Sequence, residues 1–309
     1  GNFYEYYLNN KNEKINIVVA TSGDTGAAAI DAIRGKKNLN IFVLHPHNRI
    51  SPIQRKLMTT GNHENVFNIA VKGNFDDCQN LVKSMFSDKE FSNQINMSGV
   101  NSINWARIIA QSVYYFYCYF LIEDHKQPVN FSVPTGNFGD IYAGYLAKKL
   151  GLPINKLIVA TNQNDILHRA ISEGKYKAAH VSETISPSMD IQIASNFERL
   201  IYDLNNHDSS QTLDDMKNIK QNGQYIINNE KLKKINKDFL SARMSEQETL
   251  DVIKNIYEKF DIVLDPHTAI GYGAFDKHNL KGNNIVLATA HPCKFPDAIL
   301  KAINLKSDL

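Results

Sequence analysis

The stretch NFSVPTGNFGDIYAGYLAKKL, residues 130–150, runs from an apolar strand through a short loop of small and polar residues into an amphipathic helix. Gly136 and Gly139 permit positive φ angles and a close approach of the backbone to a ligand. The helix begins near Asp140 and points its unpaired N–H groups back at the loop. Because free N–H groups and the helix dipole both favour negative charge, the loop suits a phosphate group. The alternative is a plain strand-to-helix turn in which Asn and Asp act as caps.

A second loop has the same order of residues. VVATSGDTGAAAI, residues 18–30, leads from a strand through Ser22, Asp24 and Thr25 into an alanine-rich helix. In open α/β sheets ligands lie outside the carboxyl ends of the strands, so both loops are predicted to face one crevice. The alternative is that Ser22 or Asp24 is simply an N-cap. Neither loop has the G-x-G-x-x-G or Walker A pattern, so neither predicts a nicotinamide cofactor or a nucleoside triphosphate.

Short β-branched runs alternate with helical patterns on both sides of these loops, which predicts an α/β fold with two doubly wound domains and mainly parallel sheets. At 309 residues the chain exceeds the usual size of a single core. The stretch EDHKQP, residues 123–128, is the most linker-like, and we expect domains at 1–125 and 126–309. Residues 196–260 show helical periods but no clear strand.

Composition excludes several classes of function. Apolar residues make up 43% of the chain and charged residues 21%, and the formal net charge is +2. This balance gives no reason to expect nucleic acid or a membrane as a partner, so a small-molecule substrate is predicted. Three widely spaced cysteines indicate neither a disulfide framework nor a metal site, and the proximity of His291 to Cys293 lacks zinc-site spacing. A cytoplasmic location fits best.

Five motifs together point to one family. They are ATSGDTGAAA at 20–29, RISPIQ at 49–54, NSINWARI at 101–108, PTGNFGD at 134–140 and TAHPCKFPDAI at 289–299. In these motifs and their order the chain resembles the threonine synthase family. Members of that family are pyridoxal-phosphate enzymes of fold type II, the fold of the tryptophan synthase β chain. The resemblance implies the conversion of O-phospho-L-homoserine and water into L-threonine and phosphate, with pyridoxal 5'-phosphate as cofactor. We expect the protein to be a monomer or a homodimer.

The resemblance also implies roles for individual residues. Gly136, Asn137, Phe138, Gly139 and Asp140 match the loop whose backbone amides hold the cofactor phosphate. Thr289 matches the residue that hydrogen-bonds the pyridine nitrogen; without the family, a residue that closes a strand end is the simpler interpretation. Ser22, Asp24 and Thr25 match the loop that faces the substrate carboxylate. Ser102, Asn104 and Arg107 match the segment expected to hold the substrate phosphate, although Arg107 alone could equally be a solvated charge on a helix.

One expected residue is absent from the chain. Family members carry the cofactor on a lysine in an F-K-D motif, and the match places that Schiff-base lysine about four residues before Gly1. Lys294 does not match it. We therefore expect the 309 residues alone to be nearly inactive. Two alternatives to threonine synthesis remain: an O-phosphohomoserine phospho-lyase that releases 2-oxobutyrate, and a catalytically dead scaffold without the lysine.

Overall fold

The computed structural model describes residues 2–11, 13–21, 23–48, 50, 52–73, 75–100 and 104–304. The chain divides into two compact units, Gly1–Asn101 and Ser102–Leu309. The boundary predicted after residue 125 lies further along the chain. The difference arises from one long helix, Trp105–Phe120, whose buried side chains Ile108 and Tyr115 share a core with Val129 and Phe131 of the second unit.

The first unit contains a four-stranded parallel sheet. Its strands are β1 (Ile15–Ala20), β2 (Leu39–Pro46), β3 (Val66–Val71) and β4 (Met97–Gly99), in the order β3-β2-β1-β4. Its helices are α1 (Asn2–Asn9), α2 (Asp24–Ile33), α3 (Pro52–Thr59), α4 (Phe75–Ser87) and α5 (Lys89–Gln94). One cluster of buried apolar side chains, including Val19, Ile30 and Ile41, closes the core.

The second unit contains a second four-stranded parallel sheet and a small antiparallel pair. The strands are β5 (Val129–Pro134), β6 (Ile154–Thr161), β7 (Lys175–Lys177), β8 (Gln224–Ile226), β9 (Phe239–Arg243) and β10 (Asn283–Val286). The sheet order is β10-β5-β6-β9, and β7 pairs with β8. The helices are α6 (Trp105–Phe120), α7 (Gly139–Lys149), α8 (Ile166–Glu173), α9 (Phe197–Leu204), α10 (Ser209–Asn222), α11 (Asn229–Asp238), α12 (Glu246–Phe260), α13 (Pro266–Asp276) and α14 (Pro296–Ile303). Two 3-10 turns, Pro187–Met189 and Pro292–Lys294, complete it.

The two parallel sheets confirm the predicted α/β class. The prediction of no strand within 196–260 is wrong, because β8 and β9 both lie there. Strand β9 pairs with β6 along Leu157↔Phe239 to Thr161↔Arg243, so it forms one edge of the main sheet. Its sequence, FLSAR, has little strand character of its own, and tertiary pairing decides its conformation.

Strand β5 holds the loop of interest in place because it is buried along its whole length. Its two inner polar side chains are satisfied within the fold: Ser132 Oγ donates to the carbonyl of Gly271 at 2.6 Å, and Asn130 Nδ2 donates to the carbonyl of Lys281 at 3.0 Å. A central strand so fixed gives a rigid base for the residues at its carboxyl end. Within the described ranges, no helix has both the length and the apolarity needed to cross a membrane.

Candidate functional site

Residues 135–140 comprise the loop at the carboxyl end of β5 and the first two residues of α7, and we call this segment the phosphate loop. Thr135 donates its N–H to the carbonyl of Ala160 at 2.8 Å and so keeps the loop against β6. Phe138 has a left-handed backbone, with φ of 69°, and its ring is fully buried at 5.2 Å from the ring of Phe197. The aromatic ring anchors the loop in the core, so only the backbone of Phe138 is available to a ligand.

The phosphate loop presents a row of free backbone donors. In the described part of the chain, no acceptor lies within hydrogen-bond reach of the N–H groups of Gly136, Asn137, Phe138 or Asp140. Gly139 donates instead to Asn137 Oδ1 at 2.9 Å, which shapes the turn. Unpaired N–H groups at a helix N-terminus bind anions, and these groups therefore fit the phosphate of a cofactor.

The two glycines allow the close packing that this loop requires. A Cβ atom on Gly136 would lie 2.6 Å from the carbonyl oxygen of Ser188, and one on Gly139 would lie 3.2 Å from Asn196 Nδ2. Asn196 also donates its backbone N–H to the carbonyl of Asn137 at 3.0 Å. The phosphate loop thus rests directly on the backbone of residues 188–196, a contact that no local sequence pattern indicates.

Asp140 lies in the first turn of α7 beside Tyr115 of α6. The Tyr115 hydroxyl donates to the backbone carbonyl of Asp140 at 2.9 Å and lies 3.3 Å from its carboxylate. Burial raises the pKa of Asp140 to about 6, and the hydrogen bond from Tyr115 only partly offsets that rise. With this raised pKa, Asp140 takes up a proton at a higher pH than an ordinary aspartate does.

Thr289 lies three residues beyond the end of β10 and is exposed. The N–H of Leu287 donates to the carbonyl of Ser132 at 3.0 Å, which keeps this segment beside β5 after the strand ends. Since β10 and β5 are parallel, Thr289 and the phosphate loop both lie at the carboxyl-terminal end of the strands. Its hydroxyl has no hydrogen-bond partner among the residues that the structure describes.

The start of α6 supplies the residues predicted to bind a second phosphate. Asn104 caps the helix, and its Oδ1 accepts the N–H of Ala106 at 2.9 Å, so the amide NH₂ is the part available for another partner. Arg107 has a buried guanidinium nitrogen, Nη1, with no hydrogen-bond partner in the described ranges, and burial lowers its pKa. A desolvated arginine donor without an acceptor fits an anionic ligand. Ser102 lies outside the described residues.

The loop after β1 is organised by residues that sequence reasoning missed. The buried Thr21 hydroxyl accepts the N–H groups of Gly23 at 3.0 Å and Gly26 at 2.8 Å. Gly23 has φ of 139°, and a Cβ there would overlap the side chain of the buried Gln54. Gln54 ends the motif RISPIQ, so the motif itself was the available signal. Thr25 lies in the first turn of α2, whereas Ser22 and the side chain of Asp24 lie outside the described residues.

A buried pair, Asp265 and His267, was also missed as a functional feature. Asp265 caps α13, and its Oδ1 lies 2.9 Å from both the backbone nitrogen and Nδ1 of His267. His291 caps the 3-10 turn Pro292–Lys294 through the N–H of Cys293. Across the described ranges, no three metal-ligating side chains come together.

A wide groove of about 1170 Å³ lies elsewhere in the second unit. It is lined by residues of α7, α9 and α10 together with Trp105 and residues 193–195, and the phosphate loop is not among its walls. Arg199 stacks over the ring of Trp105 at 5.0 Å on one side of it. The groove is therefore separate from the phosphate loop, but its wall residue Trp105 belongs to the same helix start as Asn104 and Arg107.

Comparison with known proteins identifies the family. Residues 3–222 match the family described as pyridoxal-phosphate dependent enzyme, and residues 268–309 match the threonine synthase C-terminal family. The threonine synthase of Pseudomonas aeruginosa is 45% identical over 98% of this chain and 65% of its own length. That of Schizosaccharomyces pombe is 43% identical over 100% of this chain and 67% of its own. The chain belongs to the threonine synthase family.

A solved member of the threonine synthase family has the same fold. The crystal structure of PLP-bound threonine synthase from Brucella melitensis superposes with a TM-score of 0.94 at 47% identity, over 99% of this chain and 66% of that one. The resemblance predicted from the five motifs and the predicted fold type are both confirmed, and pyridoxal phosphate is the cofactor of the family. The chain spans about two thirds of the length of the curated relatives that it matches.

Proposed function

We propose that the protein containing this chain is a threonine synthase, which converts O-phospho-L-homoserine and water into L-threonine and phosphate. The observation that carries the proposal is the similarity to relatives named threonine synthase, which extends over 98% of the chain. The activity is proposed for the whole protein, since the chain spans 65% of that relative.

The phosphate loop is the proposed binding site of the cofactor phosphate. Pyridoxal phosphate, when bound, draws electron density away from the substrate carbons that react. The free N–H groups of Gly136, Asn137, Phe138 and Asp140 would hold its phosphate without any lysine or arginine in the loop. Thr289 would hydrogen-bond the pyridine nitrogen; a neutral hydroxyl does not protonate the ring as a carboxylate would.

The substrate phosphate is assigned to the start of α6. Arg107 would donate to it from the buried nitrogen that has no other acceptor in the described ranges, and Asn104 would add its amide N–H groups. Together with Ser102, these short donors and one guanidinium suit a dianion. They would also hold the phosphate as it leaves the substrate.

The loop after β1 is proposed to bind the amino-acid end of the substrate. Thr25 lies at the start of α2, where helix N–H groups favour a carboxylate. Ser22 and Asp24 are assigned to the same loop by the motif alone. An aspartate beside a carboxylate is repelled unless it is protonated or faces a cation, and we assign Asp24 to the cationic side.

A small-molecule substrate and a cytoplasmic protein that is a monomer or homodimer complete the proposal. The three cysteines, Cys78, Cys118 and Cys293, all lie in described segments, and none of them forms a disulfide. Cysteines that form no disulfide are usual in a reducing compartment.

The decisive experiment measures products. The protein that contains this chain is loaded with pyridoxal phosphate and incubated with O-phospho-L-homoserine, and threonine, 2-oxobutyrate and phosphate are quantified. Threonine and phosphate in equal amounts support the proposal. Phosphate with 2-oxobutyrate in place of threonine identifies a phospho-lyase, and no phosphate release identifies a protein that has the fold without the chemistry.

A further inference from the structure

We propose that His267 is a positioning residue that holds the phosphate loop in its anion-binding shape by accepting the backbone N–H of Ser188. The inference rests on the proposed role of the phosphate loop. His267 itself is buried, with 3% of its surface exposed, and it does not touch the ligand. It acts through the turn on which the loop rests.

The Asp265 carboxylate fixes the tautomer of His267. Asp265 is 1% exposed and lies 2.9 Å from His267 Nδ1. An ionised carboxylate only accepts hydrogen bonds, and its pairing with His267 and Thr268 outweighs burial and lowers its pKa. Nδ1 carries the proton that this carboxylate accepts, and Nε2, toward which the N–H of Ser188 points, is the acceptor.

The Nε2 atom faces the turn beneath the phosphate loop. Ser188, in the 3-10 turn Pro187–Met189, places its backbone nitrogen 3.4 Å from Nε2, and its N–H has no other acceptor in the described part of the chain. The carbonyl of the same residue lies 2.6 Å from the position of a Cβ on Gly136. The backbone of one residue, Ser188, therefore contacts His267 through its N–H and the phosphate loop through its carbonyl.

The other end of this turn is fixed independently. Asp190 Oδ1 accepts hydrogen bonds from Asn162 and Asn164 at 2.8 Å each, and Asp190 Oδ2 accepts the N–H of Thr184 at 2.9 Å. These hydrogen bonds hold Asp190 at the end of β6. The part of the turn that they do not fix lies near Ser188. That is the point where His267 acts.

The imidazole also packs against the segment that carries Thr289. Its ring centroid lies 4.8 Å from that of Phe295, which is buried and precedes α14. His267 thus contacts the turn beneath the phosphate loop and the segment proposed to meet the pyridine nitrogen. A single side chain would set the spacing between the two ends of the cofactor site.

Two substitutions separate this role from simple packing. In His267→Asn the amide NH₂ takes the place of Nδ1 and keeps the bond to Asp265, but no atom reaches Ser188. In His267→Gln the side-chain oxygen reaches the place of Nε2 and restores the acceptor. His278→Asn is the matched control, because His278 follows the far end of the same helix and its Nε2 lies 3.2 Å from the carbonyl of Ser241.

The measurement compares pyridoxal 5'-phosphate with pyridoxal, which lacks the phosphate, in equilibrium binding to the protein that contains this chain. We expect the wild type to prefer the phosphate ester, His267→Asn to lose about 3- to 10-fold of that preference, and His267→Gln to retain most of it, as for one neutral hydrogen bond. His278→Asn should keep the full preference. Binding of pyridoxal itself should change little in all variants.

The outcomes are distinguishable. A wild type that prefers the phosphate ester and a His267→Asn variant with the same preference overturn the inference and leave the proposed function intact. Equal losses of affinity for both ligands in His267→Asn also overturn the inference, since they indicate that His267 has only a general packing role. A wild type with no preference overturns the inference and the cofactor-phosphate role of the phosphate loop on which it rests, whereas the product assay tests the proposed reaction separately. If His267→Asn does not fold, the ¹⁵N shift of Nε2 in the wild type decides: it should move on adding the phosphate ester and stay unchanged with pyridoxal, and equal shifts overturn the inference.

Discussion

Arg107 carries its charge into a half-buried position where Nη1 meets no acceptor in the described ranges. A fixed cation without a partner costs folding free energy, and such costs are commonly retained where a ligand supplies the missing partner. This single side chain therefore gives the sharpest test of the proposed substrate-phosphate site.

Replacing Arg107 with Gln in the whole protein should raise the KM for O-phospho-L-homoserine by about 10- to 100-fold, the equivalent of one charge-assisted hydrogen bond. Steady-state kinetics with purified variants provide the measurement. Arg34→Gln removes a similar charge from an exposed ion pair with Asp31 and should leave KM unchanged. An unaltered KM in Arg107→Gln would remove this residue from the site.

Asp140 makes stability depend on pH. Its folded-state pKa of about 6 lies above the ordinary value of 3.8, so the folded state binds the proton more tightly than the unfolded state. The wild type should therefore lose stability as pH rises from about 4 to 6, by at most about 3 kcal/mol, and lose no more from this group above that range. Asp140→Asn should lack this loss.

Urea unfolding of both proteins at pH 4, 5, 6 and 7 measures the effect of Asp140. The difference in unfolding free energy should grow in favour of Asp140→Asn up to pH 6 and then stay level. Asp214→Asn, at an exposed pair with Lys217, provides the comparison. Parallel curves for the wild type and Asp140→Asn would show that Asp140 titrates normally.

At the scale of elements, helices α6 and α7 pack unusually closely at Gly144. A Cβ there would overlap the ring of Tyr115, which is fully buried and hydrogen-bonded to Asp140, and would lie 3.0 Å from Leu157 Cδ2. In an exposed helix, replacing glycine with alanine is usually stabilising. At Gly144 we expect the replacement with alanine to be destabilising instead.

Gly144→Ala should lower the unfolding free energy by about 1–3 kcal/mol through overpacking. Chemical denaturation of the single variants and of Gly144→Ala combined with Tyr115→Leu measures the coupling in a double-mutant cycle. The second change removes the ring and should recover part of the loss. A stabilised Gly144→Ala variant would contradict the close packing of these helices.

The elements differ in how far sequence alone predicts them. Strand β5, its loop and helix α7 appear as predicted from residues 130–150, because this stretch has strong local periodicity. Strand β9 and the supports beneath the phosphate loop were not found. Ser188 and Asn196 lie more than 45 residues from Gly136 in sequence, and only the folded chain brings them together.

At the scale of the whole molecule, the two units have separate sheets and separate cores. The single tryptophan of the chain, Trp105, belongs to the second unit. Tryptophan fluorescence therefore reports on that unit, whereas far-ultraviolet circular dichroism reports on both.

We expect the fluorescence and circular dichroism curves of urea unfolding not to coincide, because units with independent cores commonly unfold separately. Moving the reporter, with Trp105→Phe combined with Phe67→Trp on β3, should shift the fluorescence midpoint to that of the first unit. Coincident curves from both reporters would show a single cooperative transition.

The sheet of the second unit pairs Val129 with Asn283, and this pairing has a consequence for biosynthesis. At roughly 5–20 residues per second, a ribosome needs on the order of ten seconds to travel from β5 to β10. During that interval one flank of β5, a strand that is buried along its whole length in the folded unit, has no neighbour and is open to association with other nascent chains. The first unit, with all four strands between Ile15 and Gly99, completes its sheet long before. We therefore expect chaperones to bind the nascent chain mainly while the later part of the polypeptide is being translated.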